Sequence, residues 1–209
     1  MKNPFKNISK KNINKLLDLL YADTYDINKN EHLPKTIIDN KSIIIIVNGY
    51  IQVIRSTIEG NDIIVEELEE NDVYGSSLAY AKSNEYEMIA KEDSKVIVID
   101  EDIVINFDDT SKLYYFQFIK NLFEILTEIM REKNERINII TKKSIRDKLL
   151  EYFSILRKKN NSVNIYIPYS YGSLADYLGV NRSALMREIK NLKEEGFIES
   201  KGNRIKLLY

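Results

Sequence analysis

Ser170–Leu192 reads SYGSLADYLGVNRSALMREIKNL, a spacing that predicts two short helices crossing at a tight turn. Ala175 is small enough to let the two backbones approach, and Gly179, four residues on, suits the positive φ of the turn. Leu174, Leu178, Leu185 and Ile189 then fill the angle between the helices, while Ser170 and Asn181 stand where caps are needed. At helical spacing the outer face of the second helix carries Arg182, Ser183, Met186, Arg187 and Lys190, side chains suited to phosphates or guanine edges. A solvated basic helix is the plainer alternative. Against it, turn chemistry, small residue and cap coincide in one short window, which is the pattern of a DNA-reading helix-turn-helix.

The flanks extend this pattern. Phe197–Ser200 and Arg204–Leu208 are apolar-rich strands joined by Lys201-Gly202-Asn203, a glycine-containing hairpin. Upstream, Val163–Pro168 alternates apolar with polar or tyrosyl residues and suits a short strand beside that hairpin. Residues 141–209 thus predict a winged helix-turn-helix. Lys201 and Arg204 on the wing and Ser170 at the first helix join the second helix as candidate DNA-binding positions.

Charge is divided along the chain. The 209 residues carry a net charge of -1, yet 141–209 hold 14 Lys and Arg against 7 Asp and Glu, net +7, leaving -8 for the remainder. A basic carboxyl-terminal module is what attraction to phosphates requires. With 44% hydrophobic residues the chain can bury a real core, and its length fits two modest domains. There is no cysteine, so disulfides, thiolate metal sites and cysteine redox switches are excluded. The amino terminus, MKNPFKNISKKN, has no apolar signal region, and the longest apolar run, Ile43–Val47, is too short to span a bilayer. The expectation is a cytoplasmic protein without a membrane partner.

The amino-terminal half reads differently. After an amphipathic segment, Ile8–Ala22, short strands are predicted at Ile43–Val47, Tyr50–Ile54, Ile63–Leu68, Met88–Ala90 and Val96–Ile99. Turns at Asn48-Gly49, Glu59-Gly60-Asn61, Asn71-Asp72 and Glu92-Asp93 punctuate them, giving an antiparallel roll or barrel over residues 1–109. A long helix follows over 110–140. In it Phe116, Ile119, Phe123, Leu126, Met130, Ile137 and Ile140 fall on heptad a and d positions, with Lys133 alone breaking the seam. Sustained over that length, a 3.5-residue period favours pairing with a second copy, and Phe116, Ile119, Phe123, Leu126, Met130 and Ile137 are the candidate dimer interface. A single core helix with one apolar face is the alternative. Leu122, Ile125 and Ile129 form a second stripe suited to packing on the roll. A further helix is expected at Ser144–Lys158. The fold class is therefore α+β: an antiparallel β-roll, a long dimerisation helix and a winged helix-turn-helix.

This order, with the segments GYIQVIRSTIEGNDIIVEELEENDVYG and LADYLGVNRSALMREIKNLKEEGFI, resembles the Crp/Fnr family of bacterial transcription regulators over most of the chain. Gly49 and Gly60 look like the family's turn glycines, and Asp72 with Gly75 like its D-x-x-G. The resemblance implies a regulatory roll, a homodimer and a two-fold symmetric promoter site. Double-stranded promoter DNA and a second copy are the implied partners, with RNA polymerase and an unidentified small-molecule effector as further candidates. By motif match Arg182, Ser183 and Arg187 sit where the family places base-reading side chains. Ser183 departs from the glutamate of the best-known members, so the half-site should differ.

The roll departs further. Cyclic-nucleotide-binding members follow the D-x-x-G glycine with a glutamate for the ribose and an arginine for the phosphate. Here Ser76 and Ser77 follow Gly75, and no arginine occurs between Arg55 and Arg131. Lys82 could supply one charge but no bidentate fork, and Glu85 and Glu87 would oppose an anion. The expectation is loss of cAMP control, with Gly75, Ser76 and Ser77 marking the candidate effector pocket.

No catalytic apparatus is legible. His32 is the single histidine, which excludes Ser-His machinery and multi-histidine metal clusters. Haem is an alternative through His32, Met88 or Met130, since some family members carry it; otherwise neither cofactor nor metal is expected. The run Glu66, Glu67, Glu69, Glu70, Asp72 reads as solvated turns. A ligand-binding module that has lost DNA reading is the other alternative, opposed by the basic face from Arg182 to Lys190.

Overall fold

The computed structural model of the chain describes residues 2–39, 41–56, 62–75, 86–109 and 112–209. It divides into two compact units, Met1–Leu126 and Thr127–Tyr209, with one helix running through the boundary.

The first unit is built on antiparallel sheets. One has the order β1 (Asp23–Ile27), β7 (Ser94–Asp100), β2 (Ser42–Asn48), β5 (Val73–Gly75); the other has β4 (Asp62–Leu68), β3 (Ile51–Ser56), β6 (Tyr86–Ala90). Ile44, Ile46, Ile51, Val53, Met88 and Val96 share the core of the roll. Ile45, Ile97 and Ile99 point the other way, into a second core with Leu16 and Leu20 from α1 (Lys10–Leu19) and its C-cap, and with Phe118 and Leu122 of α4 (Leu113–Ile140). Strand β2 is buried on both faces, and this is why its sequence is an unbroken apolar run instead of an alternation.

At Gly49, between β2 and β3, φ is +96° and an added Cβ would lie 2.1 Å from Ser94 Oγ. Only glycine fits that turn. The Ser94 hydroxyl accepts from Tyr50 N (3.2 Å) and donates to Glu92 O (2.7 Å).

Helix α4 anchors to the first unit by one stripe. Phe118 is fully buried and stacks on Phe5, Tyr115 donates its hydroxyl to Val104 O, and Asn121 donates its amide to Pro4 O and Lys6 O. Buried Leu122 and Ile125 belong to this face, as the second stripe predicts. The heptad seam lies elsewhere: Phe116, Phe123, Leu126, Met130, Ile137 and Ile140 are all exposed, Phe123 by 71% and Met130 by 65%. Ile119 differs from the others, being half-buried against the core of the first unit.

In the second unit α5 (Ile145–Asn160), α6 (Tyr171–Leu178) and α7 (Arg182–Glu194) surround a core of Leu149, Phe153, Leu174, Leu178, Leu185 and Ile189, closed by Ile139 at the end of α4. A three-stranded sheet, β8 (Asn164–Tyr166), β10 (Arg204–Leu207), β9 (Ile198–Lys201), completes it. Sequence reasoning missed β1 and β5, because Asp23–Ile27 alternates weakly and Val73–Gly75 is three residues long. Short helices α2 (Lys35–Asp39) and α3 (Glu101–Ile105) were likewise unexpected.

Within this core Tyr152 is 4% exposed, and its hydroxyl has no hydrogen-bond partner among the described residues. Burial pushes its pKa well up, so the phenol stays neutral. An orphaned buried hydroxyl costs about 1–3 kcal/mol. Tyr152→Phe is expected to leave folding stability unchanged or raise it by about 1 kcal/mol, read from urea denaturation midpoints; a loss beyond about 1 kcal/mol would reveal a hidden partner.

Candidate nucleic-acid interface

The turn between α6 and α7 has the predicted chemistry. Gly179 caps α6 at φ +61°, its N–H reaching Asp176 O at 3.1 Å, and Val180 N reaches Ala175 O at 2.9 Å. Asn181 Oδ1 accepts from Ser183 N (2.9 Å) and Ala184 N (3.3 Å), capping α7. With Ala175 buried beneath the crossing, the two helices are held by backbone and cap together.

These constraints aim one face of α7 outward. Arg182, Ser183, Met186, Arg187 and Lys190 are all exposed, while Leu185, Ile189 and Leu192 are buried on the opposite side. Among the described residues Arg182 and Arg187 have no carboxylate partner, whereas Lys190 pairs with Glu194 at 3.5 Å. Two other acids of the α7 segment, Glu188 and Glu195, are paired with a cation from another helix. Arg146 of α5 lies 3.8 Å from Glu188, hydrogen-bonds Glu195 and sits 5.1 Å over the Phe197 ring. Two donors therefore stand free on an exposed, rigid helix, and an arginine fork so placed can bond both acceptors of a guanine edge or a phosphate.

Of the other predicted positions, Lys201 and Arg204 are exposed on β9 and β10, directly opposite each other. Ser170 lies at the N-cap of α6, where its Oγ accepts from Ser173 N at 3.1 Å and sits 2.9 Å from Ser173 Oγ. Its hydroxyl is thus engaged in capping. Sequence reasoning missed the ties that hold the wing: Tyr171 donates its hydroxyl to Gly202 O (2.8 Å), and Asn203 donates its amide to Ile167 O (3.1 Å) and Tyr169 O (3.0 Å). The only sequence signal for them is their place beside the turn and at the first helix.

The roll's candidate pocket is only partly within view. Gly75 is half-buried at the end of β5, where it faces Ile43 of β2, and Ser76, Ser77, Lys82, Glu85 and Gly60 lie outside the described residues. Asp72 accepts from Glu69 N (2.9 Å) and pairs with Lys2 (3.5 Å), a turn-stabilising role. His32, more than half exposed, has Nδ1 3.0 Å from Glu87, which also faces Lys35 at 3.6 Å. Met88 is sealed in the roll's core and Met130 stands open on α4. Among the described residues no three His, Asp or Glu side chains gather as a metal site, and no helix is long and apolar enough to cross a membrane.

Residues 147–209 match the Crp-like helix-turn-helix domain. The carboxyl-terminal unit carries a Crp-like helix-turn-helix domain. The "Probable transcriptional regulator flp" of Lacticaseibacillus casei is 30% identical over 88 residues, 41% of this chain and 40% of that protein. The matched stretch thus spans two fifths of the relative's length. Among solved structures, the C200S variant of CprK complexed with OCPA aligns over 92% of this chain and 88% of its own, with TM-score 0.61 and 20% identity. A CooA double mutant from Carboxydothermus hydrogenoformans gives 92%, 85%, 0.56 and 17%, and the Thermus thermophilus catabolite activator protein 98%, 92%, 0.51 and 14%. At such identities the likeness is one of fold. It agrees with the roll, long helix and winged helix of this chain.

Proposed function

We propose that the protein is a sequence-specific transcription regulator that binds two-fold symmetric promoter DNA as a homodimer, independently of cyclic nucleotides. The exposed face of α7 carries this reading: Arg182 and Arg187 are free of carboxylates among the described residues, and Arg146 draws Glu188 and Glu195 away. In the assignment, Arg182, Ser183, Met186, Arg187 and Lys190 read or line the major groove, and Lys201 and Arg204 hold phosphates. Ser170 acts through the cap that orients α6. The exposed apolar face of α4 supports self-association through residues 110–140, which would set two copies of α7 on successive half-sites. The roll regulates or braces this dimer, with Gly75, Ser76 and Ser77 as its candidate effector pocket. Contact with RNA polymerase and cytoplasmic residence follow from the same role.

Selection of bound sequences from random duplexes tests the reading, followed by Arg187→Ala on the selected site. The variant is expected to lose about 1–3 kcal/mol on that site and to flatten preference at one position, because a bidentate contact to guanine is removed. Equal loss on selected and random DNA would reassign Arg187 to the phosphate backbone.

A further inference from the structure

The last turns of α4 belong to the second unit, and one face of them is packed against it. Ile139 is fully buried in the core of that unit. Glu135 pairs with Lys159 of α5 at 2.7 Å, and the Arg136 guanidinium stands 5.3 Å over the ring of Tyr177 in α6. At 3.6 residues per turn Glu135, Arg136 and Ile139 share this face, whereas Met130 and Ile137, both exposed, fall on the opposite one. The same stretch of helix thus holds the winged helix-turn-helix on one side and presents its apolar seam on the other.

The Arg136 contact continues inward. Tyr177 stacks on Tyr169, with ring centroids 5.4 Å apart and planes 24° apart, and lies tilted against Tyr152 of α5 at 5.8 Å. The Tyr169 carbonyl accepts in turn from Asn203 of the wing turn at 3.0 Å. The four residues between α4 and α5 leave little slack. Thr141 donates both its N–H (3.0 Å) and its hydroxyl (2.8 Å) to Ile137 O, Lys142 pairs with Glu151 at 3.2 Å, and Ser144 Oγ accepts from Asp147 N at 3.0 Å. Apolar packing around Ile139 tolerates a small rotation of one helix on the other, because it is non-directional. A cation centred on an aromatic face does not, so the contact of Arg136 with Tyr177 is what fixes the angle of α6 on α4.

We propose that Arg136 and Tyr177 are positioning residues that fix the seat of α6 and α7 on α4, and so set the spacing between half-sites that the homodimer accepts. This rests on the DNA-reading role and the pairing through α4 proposed above. Both residues act through α6, which the Gly179 turn and the Asn181 cap join to α7. In a dimer paired along α4, the separation of the two α7 helices follows from how each is seated on its own α4. With a loosened seat each α7 still finds its half-site. Engaging both half-sites at once then requires fixing the angle on binding, at an entropic cost that the intact contact removes beforehand. The loss therefore falls on a duplex with two half-sites and spares a duplex with one.

The test measures binding of the full-length protein to its selected site, to that site with one base pair added or removed at its centre, and to a duplex with a single half-site. Arg136 is exposed and lies off the seam, so Arg136→Ala leaves both the core and the dimer in place, as sedimentation and circular dichroism should verify. It is expected to weaken binding to the selected site on the order of tenfold, and to shrink the preference over the altered spacings by a like factor. Binding to the single half-site should change less than about twofold. Tyr177→Phe keeps the ring face and should behave as the parent, while Tyr177→Leu should reproduce Arg136→Ala. If Arg136→Ala and Tyr177→Leu keep the parent's spacing preference, the positioning role is overturned and the reading of α7 stands. Equal losses on single and paired half-sites make the contact merely structural and overturn it too. A parent without sequence preference, or one that is monomeric, overturns the proposal together with the reading of α7 or of α4 beneath it.

Discussion

Leu126→Glu together with Met130→Glu is expected to convert the protein to monomers at micromolar concentration. Both side chains are exposed in the single chain, by 36% and 65%, so neither substitution disturbs a packed core. The buried stripe on the same helix, Phe118, Leu122 and Ile125, is left intact. In a paired α4, however, the two glutamates of each chain would face their counterparts in an apolar seam, where uncompensated buried charges cost several kcal/mol. That exceeds the effect of any rim charge and should move dissociation above the micromolar range. Sedimentation gives the mass and circular dichroism the fold. A folded variant that still sediments as a dimer would place the interface elsewhere, whereas charging Leu122 or Ile125 should unfold the first unit without informing on assembly.

Neither cAMP nor cGMP should bind the protein or alter its DNA affinity. A buried cyclic phosphate needs donors that replace its lost hydration. No arginine occurs between Arg55 and Arg131, and Ser76 stands where the resemblance leads one to expect a ribose-binding glutamate. Glu87, a carboxylate near in sequence, is already engaged with His32 and Lys35. Each missing charge-assisted hydrogen bond forfeits about 1.5–3 kcal/mol. Loss of two such groups moves a micromolar site to roughly millimolar or weaker. Calorimetric titration with each nucleotide, and operator binding with and without it, decides the matter. Micromolar binding that tightens DNA affinity would restore a nucleotide-sensing role.

The helix-turn-helix was legible almost residue by residue because its determinants are local. Gly179 takes positive φ, Asn181 caps the next turn, and Leu174, Leu178, Leu185 and Ile189 recur at the helical period; each depends on neighbours a few positions away. The wing hairpin was legible for the same reason. Strand β1 was not, since Asp23–Ile27 is a sheet edge stabilised mainly by β7, some seventy residues later. Nor could β5 be read, as three residues carry no period.

For the candidate interface, sequence alone determined which side chains share the outer face of α7, because 3.6-residue spacing admits one answer. It also determined that the roll contains an arginine-free stretch, and that α4 bears two apolar stripes. Tertiary structure decided which stripe is which: Phe118 and Leu122 turn into the core with β2 and α1, leaving Phe123, Leu126 and Met130 in solvent. It decided that Arg146 collects Glu188 and Glu195 while Arg182 and Arg187 stay free among the described residues, and that Arg136 lies over the Tyr177 ring. The physical reason is distance along the chain. Periodicity and caps act over one or two turns, whereas ion-pair partners and strand neighbours are chosen by packing between segments tens of residues apart, where local pattern carries no register.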